Sequence, residues 1–136
     1  MIKKKHIKIA VCVIIVTALL IILANPLRRS TDRIRDNILK LTPVGMSMEE
    51  TIRIVESKKK WELYWISNKG YGMFRGSPGE YYFDITKEIA EHYVVGVKSI
   101  RVHLGDYFRT GVLAYWGFDE DDKLVDVAVR KDIDGP

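Results

Sequence analysis

Residues 112 to 130 read Val-Leu-Ala-Tyr-Trp-Gly-Phe-Asp-Glu-Asp-Asp-Lys-Leu-Val-Asp-Val-Ala-Val-Arg. This stretch decides the fold. Two runs rich in β-branched and aromatic residues, Val112 to Phe118 and Leu124 to Val129, flank the polar turn Asp119 to Asp122. A linker this short between two such runs predicts an antiparallel hairpin. Strand side chains alternate between faces, so Val125, Val127 and Val129 are expected on one face, toward the core.

Working outward, Val97 to Leu104 alternates in the same way. Ile100, Val102 and Leu104 are expected inward, Arg101 and His103 outward. Trp61 to Ser67 gives a further strand, with Leu63 and Trp65 on one face and Glu62 and Tyr64 on the other. Asn68-Lys69-Gly70 is turn chemistry, and Tyr71 to Phe74 returns as another strand. Arg75 to Glu80 reads as a loop, and Ile85 and Ile89 allow a short helix over 85 to 92.

Upstream of the strands the period changes to that of a helix. Ile34, Ile38 and Leu41 fall at i, i+4 and i+7, predicting a helix over Thr31 to Leu41. Pro43 and Gly45 end it. Ser47-Met48-Glu49-Glu50 is a capping box, which opens a second helix with Met48, Ile52 and Val55 as its buried stripe. It runs to about Lys59, where Lys58, Lys59 and Lys60 suit the negative end of the helix dipole. Helix, helix and then antiparallel strands place the chain in the α+β class. The expected architecture is an N-terminal transmembrane helix, then two short helices packed on one face of a three- to four-stranded antiparallel sheet.

The N-terminal segment is of another kind. Residues 9 to 24 carry no charge, and Ile7 and Leu27 extend them close to the span of a bilayer. Lys8 can reach the headgroups along its own stem, and Asn25-Pro26 marks the far boundary. A cleaved signal peptide competes with an uncleaved anchor. The apolar run is long for a signal peptide, and cutting after Ala24 would place bulky Ile22 three residues before the cut. A signal-anchor is therefore expected. Cys12, the sole cysteine, lies early in the run and after Val11, which suits a lipid-facing side chain rather than a lipidation site. Lys3, Lys4, Lys5 and Lys8 precede the run, so the positive-inside rule puts the N-terminus in the cytoplasm and the domain outside.

These lysines also account for the net charge of +4. Without them, 18 of the 22 basic residues face 18 acidic ones, and the domain is formally neutral. That balance excludes a nucleic-acid binder, which carries its excess charge on the domain. The expected division is a membrane anchor over 1–27, a juxtamembrane helix and linker over 28–46, and an α+β domain over 47–136. The domain has no cysteine, so no disulfide supports it.

Pro43 to Glu50, with its Gly-Met-Ser helix entry, resembles the SmpA/OmlA (BamE-like) family of small envelope proteins. Phe118 to Asp126, with a Phe-Asp pair, a polar turn and then Lys-Leu, resembles that family's final hairpin. The resemblance implies two helices on a three- or four-stranded antiparallel sheet, a structural likeness to β-lactamase-inhibitor proteins, and a role in binding.

No motif for catalysis, metal or nucleotide stands out. His103 and Asp106 could pair as base and partner, but His103 is expected outward on a strand, Asp106 in a turn, and no Ser or Cys nucleophile motif accompanies them. His92 and His103 lack further ligands at zinc spacing. Asp119 to Asp122 lacks the glycine and closing glutamate of an EF-hand. Gly70 to Gly76 is not a P-loop. The aromatic residues carry the functional expectation. Helices cover one face of the sheet, and rings on the other would concentrate binding energy. Tyr115, Trp116 and Arg130 are the candidate binding surface, with one of the two aromatics exposed beside Arg130. The expectation is a membrane-anchored, non-enzymatic protein-interaction domain at the extracytoplasmic face, single-pass and without a cofactor. Its partners would be the lipid bilayer, through residues 9–24, and an envelope protein. The alternative is a small secreted or membrane-tethered enzyme, which a cleft holding two titratable groups within hydrogen-bond distance would favour. A cytosolic-facing membrane subunit would follow from the reverse orientation.

Overall fold

A computed structural model describes residues 3–74 and 92–133. The expected loop at 75 to 80, Gly76, and the rings of Tyr81, Tyr82 and Phe83 fall outside these residues. So does the expected helix at 85 to 92, except for His92, which opens a strand.

Helix α1, Lys4–Leu23, buries none of its side chains, and the mean hydropathy of an 18-residue window within it reaches 2.7. Its 20 residues make about 30 Å of helix, so it is long and apolar enough to cross a membrane. A 3-10 turn, Pro26–Arg28, follows, capped by Asn25 Oδ1 accepting from the Leu27 amide at 3.0 Å. Helix α2, Thr31–Leu41, starts at Ser30, whose hydroxyl accepts from the Arg33 amide at 3.3 Å. Helix α3, Met48–Ser57, starts at Ser47 as expected, with Ser47 Oγ accepting from the Glu50 amide at 3.2 Å as its N-cap. It ends at Ser57, two residues short of the expected Lys59.

Six strands follow: β1 Glu62–Ser67, β2 Tyr71–Phe74, β3 His92–Val95, β4 Lys98–Tyr107, β5 Thr110–Phe118 and β6 Leu124–Ile133. Strands β1-β4-β5-β6, in that order, form an antiparallel four-stranded sheet. Strand β2 does not return onto β1. It pairs with β3 in a separate two-stranded sheet.

One apolar cluster joins Ile34 and Ile38 of α2 and Val55 of α3 to Ile100, Val102 and Leu104 of β4 and to Trp116 and Phe118 of β5. Leu41, expected on this stripe, is exposed. Arg35 fastens α2 to β6, its Nε donating to Val127 O at 2.7 Å and its NH2 to Asp126 Oδ1 at 2.5 Å. Helix α2 thus packs into the same core as the sheet. The approach to α3 is laced onto the β5–β6 hairpin by Gly45 N to Leu124 O, Leu124 N to Met46 O and Met48 N to Asp122 O, each 2.8 Å.

The valine alternation in β6 needs one correction. Gly117 pairs with Asp126, but Phe118 pairs with Leu124, which leaves Val125 as the extra residue of a bulge. The core residues are therefore Leu124, Val127 and Val129, while Val125 is 41% exposed. Val127→Ala should lower the unfolding free energy by about 1 to 3 kcal/mol through lost burial and a cavity. Val125→Ala should change it by less than about 0.5 kcal/mol. Urea midpoints of the two variants check the register, and equal shifts would place the bulge elsewhere.

Candidate functional site

The other face of the four-stranded sheet divides in two. Over β5 and β6, Leu113, Tyr115 and Ala128 join Tyr71 of β2 and Val95 of β3 in a second buried cluster. Over β1 and β4 the face is partly exposed among the described residues, and two bulges shape it.

The first bulge is in β1. Leu63 pairs with Val102, but Trp65 pairs with Arg101, so Tyr64 is the extra residue. Leu63 stays on the core side and Trp65 turns to the open side, opposite to the alternation expected from sequence. Tyr64 and Trp65 are 45% and 40% exposed. The Arg101 guanidinium carbon lies over the rings of Trp65 at 4.4 Å, Tyr115 at 5.6 Å and Tyr64 at 5.7 Å. A cation over an aromatic face is favourable by about 0.5 to 1 kcal/mol at exposed sites, and more when desolvated. Among the described residues Arg101 makes no ion pair, and its buried Nε has no hydrogen-bond partner.

The second bulge is in β4. His103 pairs with Leu113 and Asp106 with Gly111, while Leu104 and Gly105 together oppose Val112. Residues three apart on a regular strand face opposite ways. The extra residue brings His103 and Asp106 to one face, with His103 Nε2 2.8 Å from Asp106 Oδ1. Gly105 has φ +135°, and a Cβ there would meet Leu27 at 3.0 Å, so the bulge needs glycine. Asp106 is accordingly a strand residue, not the turn residue expected. The Tyr64 ring stacks on His103, 5.4 Å between centroids and 13° from parallel.

Together these side chains line a cleft of about 280 Å³, with Tyr64, Arg101, His103 and Asp106 at one side and Leu113 and Asp132 at the other. Arg130 is ion-paired to Asp132. Burial pushes the Tyr115 phenol above its ordinary pKa, and the charges of Arg101 and Arg130 pull it part of the way back. The ring under Arg101 is therefore neutral at physiological pH. The arrangement can seat a carboxylate against Arg101 and stack apolar or planar groups on Tyr64 and Trp65. The His103–Asp106 pair could polarise a water or hydroxyl, but among the described residues neither Ser nor Cys lines the cleft.

The structure brings the candidate pair His103 and Asp106 together, but not the three residues expected as a binding surface. Trp116 is fully buried on the helix side and donates through Nε1 to Thr42 Oγ1 at 3.0 Å. Tyr115 is buried on the opposite side. Arg130 shares the Tyr115 face, opposite Leu113, and is half-buried. No ring of the Tyr115–Trp116 pair is exposed. The open aromatics are Tyr64 and Trp65, and the cation among them is Arg101. One signal could have found them. Leu63 and Ile66, opposite Val102 and Ile100, lie three apart, a spacing that fits a strand only with an extra residue between.

The remaining candidates have structural places. Asp119 Oδ1 accepts from the amides of Asp121 and Lys123, both at 2.9 Å, which commits it to the hairpin turn. His92 belongs to β3 of the small sheet and His103 to β4 of the large one. Gly70 lies buried where the two sheets meet. No known protein family, curated protein or solved structure matches the chain.

Proposed function

We propose that this chain is a membrane-anchored, non-enzymatic interaction module, held by α1 at the outer face of a cytoplasmic membrane, which binds an envelope protein through the open β1–β4 face. The observation that carries the reading is the Arg101 cluster. A guanidinium with no counter-ion among the described residues lies among Tyr64, Trp65 and Tyr115. Trp, Tyr and Arg are the residue types in which interface energy concentrates. A partner carboxylate would pair with Arg101 in a charge-assisted bond, while Tyr64 and Trp65 supply apolar area around it. With α2 and α3 packed on the opposite face, Tyr64 and Trp65 keep part of their surface exposed.

The resemblance to the SmpA/OmlA (BamE-like) family supports the same reading. Its two stretches, Pro43 to Glu50 and Phe118 to Asp126, are hydrogen-bonded to each other here through Gly45, Met46, Met48, Asp122 and Leu124. Lys3, Lys4, Lys5 and Lys8 support a cytoplasmic N-terminus.

The test is site-specific photo-crosslinking in intact cells. A crosslinker at Trp65 should give a discrete protein adduct that the same crosslinker at Arg53, exposed on α3, does not give. Arg101→Ala should reduce that adduct about tenfold or more while leaving the melting temperature within a few degrees. Identical adducts from positions 65 and 53 would sink the proposal.

A second reading rests on the His103–Asp106 pair in the cleft, the feature expected of a small membrane-tethered enzyme. The two readings separate on His103→Gln. The binding reading keeps the adduct in this variant and loses it in Arg101→Ala, whereas the catalytic reading makes His103 the sensitive position.

A further inference from the structure

The two ends of the four-stranded sheet differ in chemistry. At one end lies the β5–β6 turn with Asp119, Glu120, Asp121 and Asp122. At the other lies the β4–β5 turn, Tyr107 to Thr110, beside the C-terminal end of β6. Phe108 projects from that turn 77% exposed, and Ile133, opposite Thr110, is 80% exposed. Side chains this exposed bury little apolar area within the domain. Phe108 even adopts φ +50°, a conformation unusual for a bulky residue.

The basic residues around this tip are arranged on its apolar groups. Arg28 lies over the Phe108 ring at 5.2 Å, and Lys131 over the Tyr107 ring at 5.1 Å. Lys131 Nζ also donates to Arg29 O at 2.5 Å, which ties the end of β6 to the chain leaving α1. Arg109 is exposed on the turn itself. The end of α1 reaches the same place: Ile21, Ala24 and Leu27 line an apolar cleft with Trp61, Leu104 and Gly105. Lys60 stands on the rim of that cleft. Among the described residues, Asp106 at this end is paired with His103 and Asp132 with Arg130.

We infer that this end of the domain docks on an anionic phospholipid surface, with Phe108 and Ile133 in the headgroup–acyl boundary and Arg28, Arg29, Arg109 and Lys131 on the phosphates. Three features select lipid as the occupant. The surface is continuous with the end of the membrane-length helix. Its aromatic and basic side chains are those that settle at membrane interfaces. The acidic turn sits a strand length away, roughly 30 Å, on the side that would face water. The inference rests on the reading of α1 as a membrane anchor. It adds that the domain is held against the bilayer in a fixed pose, which presents the open β1–β4 face sideways rather than leaving it on a free tether.

The test uses the full chain with Cys12→Ser and a single new cysteine, Thr110→Cys at the tip or Glu120→Cys at the acidic turn. Each carries an environment-sensitive fluorophore and is reconstituted in vesicles of phosphatidylcholine with phosphatidylglycerol. Docking makes quenching by lipids bearing a shallow nitroxide strong at position 110 and weak at 120. Arg28→Glu and Arg109→Glu should each lower the docked-to-undocked ratio at least about fivefold, the effect of one basic residue near an anionic surface. Phe108→Asp, which the left-handed conformation accommodates, and vesicles of phosphatidylcholine alone should both lower the quenching at 110. Equal quenching at 110 and 120 in anionic vesicles that retain the chain through alkaline extraction would overturn the docking and leave the anchor standing. Extraction of the chain from the vesicles at high pH would overturn the anchor, and the docking with it.

Discussion

Replacing Trp116 with alanine is expected to lower the unfolding free energy by about 3 to 5 kcal/mol, the range for truncating a buried Trp or Phe. Trp116 is fully buried in the centre of β5, among α2, β4 and β6 side chains. Trp61 packs on it at 6.1 Å between ring centroids, tilted by 54°. Its indole N–H donates to Thr42 Oγ1, which in turn donates to Ile38 O at 3.0 Å. One ring thus links the sheet to the last turn of α2. A domain of this size has a total stability of about 5 to 15 kcal/mol, so the loss is a large share. Thr42→Val isolates the polar part. It leaves the buried indole N–H without its acceptor and should cost about 1 to 3 kcal/mol. Denaturant unfolding of the full chain in detergent, followed by near-ultraviolet circular dichroism, reads both. A Trp116→Ala shift no larger than that of Tyr64→Ala, an exposed ring, would mean that Trp116 does not occupy the core.

The second large effect is expected at Gly70, where the connection from β1 to β2 crosses the connection from β3 to β4. A Cβ on Gly70 would lie 2.2 Å from Gly96 O and 2.4 Å from Val95 O. These are backbone atoms, so no side-chain rotation relieves the overlap, and the two segments must part. Ser99 Oγ donates to Lys69 O at 2.7 Å in the same crossing and would be strained with it. Gly70→Ala should therefore destabilise by about 3 kcal/mol, the upper end of the usual cost of overpacking, or more. It should also release Tyr71 from Tyr115, whose rings now lie 5.9 Å apart. Asn68→Ala, in the exposed turn before it, should change stability by less than about 0.5 kcal/mol. Equal midpoints for the two variants would show that the sheets do not meet at Gly70.

Much of this was legible from local chemistry. The cap at Ser47 and the helix over Thr31 to Leu41 depend on interactions within one or two turns, and sequence contains all of them. The alternation of Ile100, Val102 and Leu104 against Arg101 and His103 is likewise local, because a pleat leaves no choice once the strand is straight. The β5–β6 hairpin follows from its polar turn, where one carboxylate of Asp119 closes two backbone amides.

What failed were the faces after a bulge. Val125, Trp65 and Asp106 each ended on a side that simple alternation or turn chemistry did not give, because one inserted residue reverses every side chain beyond it. The candidate site is built from those reversals, so Tyr64, Trp65 and Arg101 were not found as a group, and His103 and Asp106, named as a possible pair, were expected on a strand and in a turn rather than on one strand face.

Among the described residues, the sequence by itself determined the class of the segments: an apolar helix whose charge-free run follows four lysines, two capped amphipathic helices, and strands closing on an acidic turn. These are short-range properties of side-chain type and spacing. Only the tertiary structure decided that β2 leaves β1 to pair with β3, that Trp116 and Tyr115 are buried on opposite faces, and that Arg101 lies half-buried among three rings. Those outcomes depend on which distant backbones meet, on where a bulge relieves their misfit, and on glycines that let them approach, none of which a single stretch of chain records.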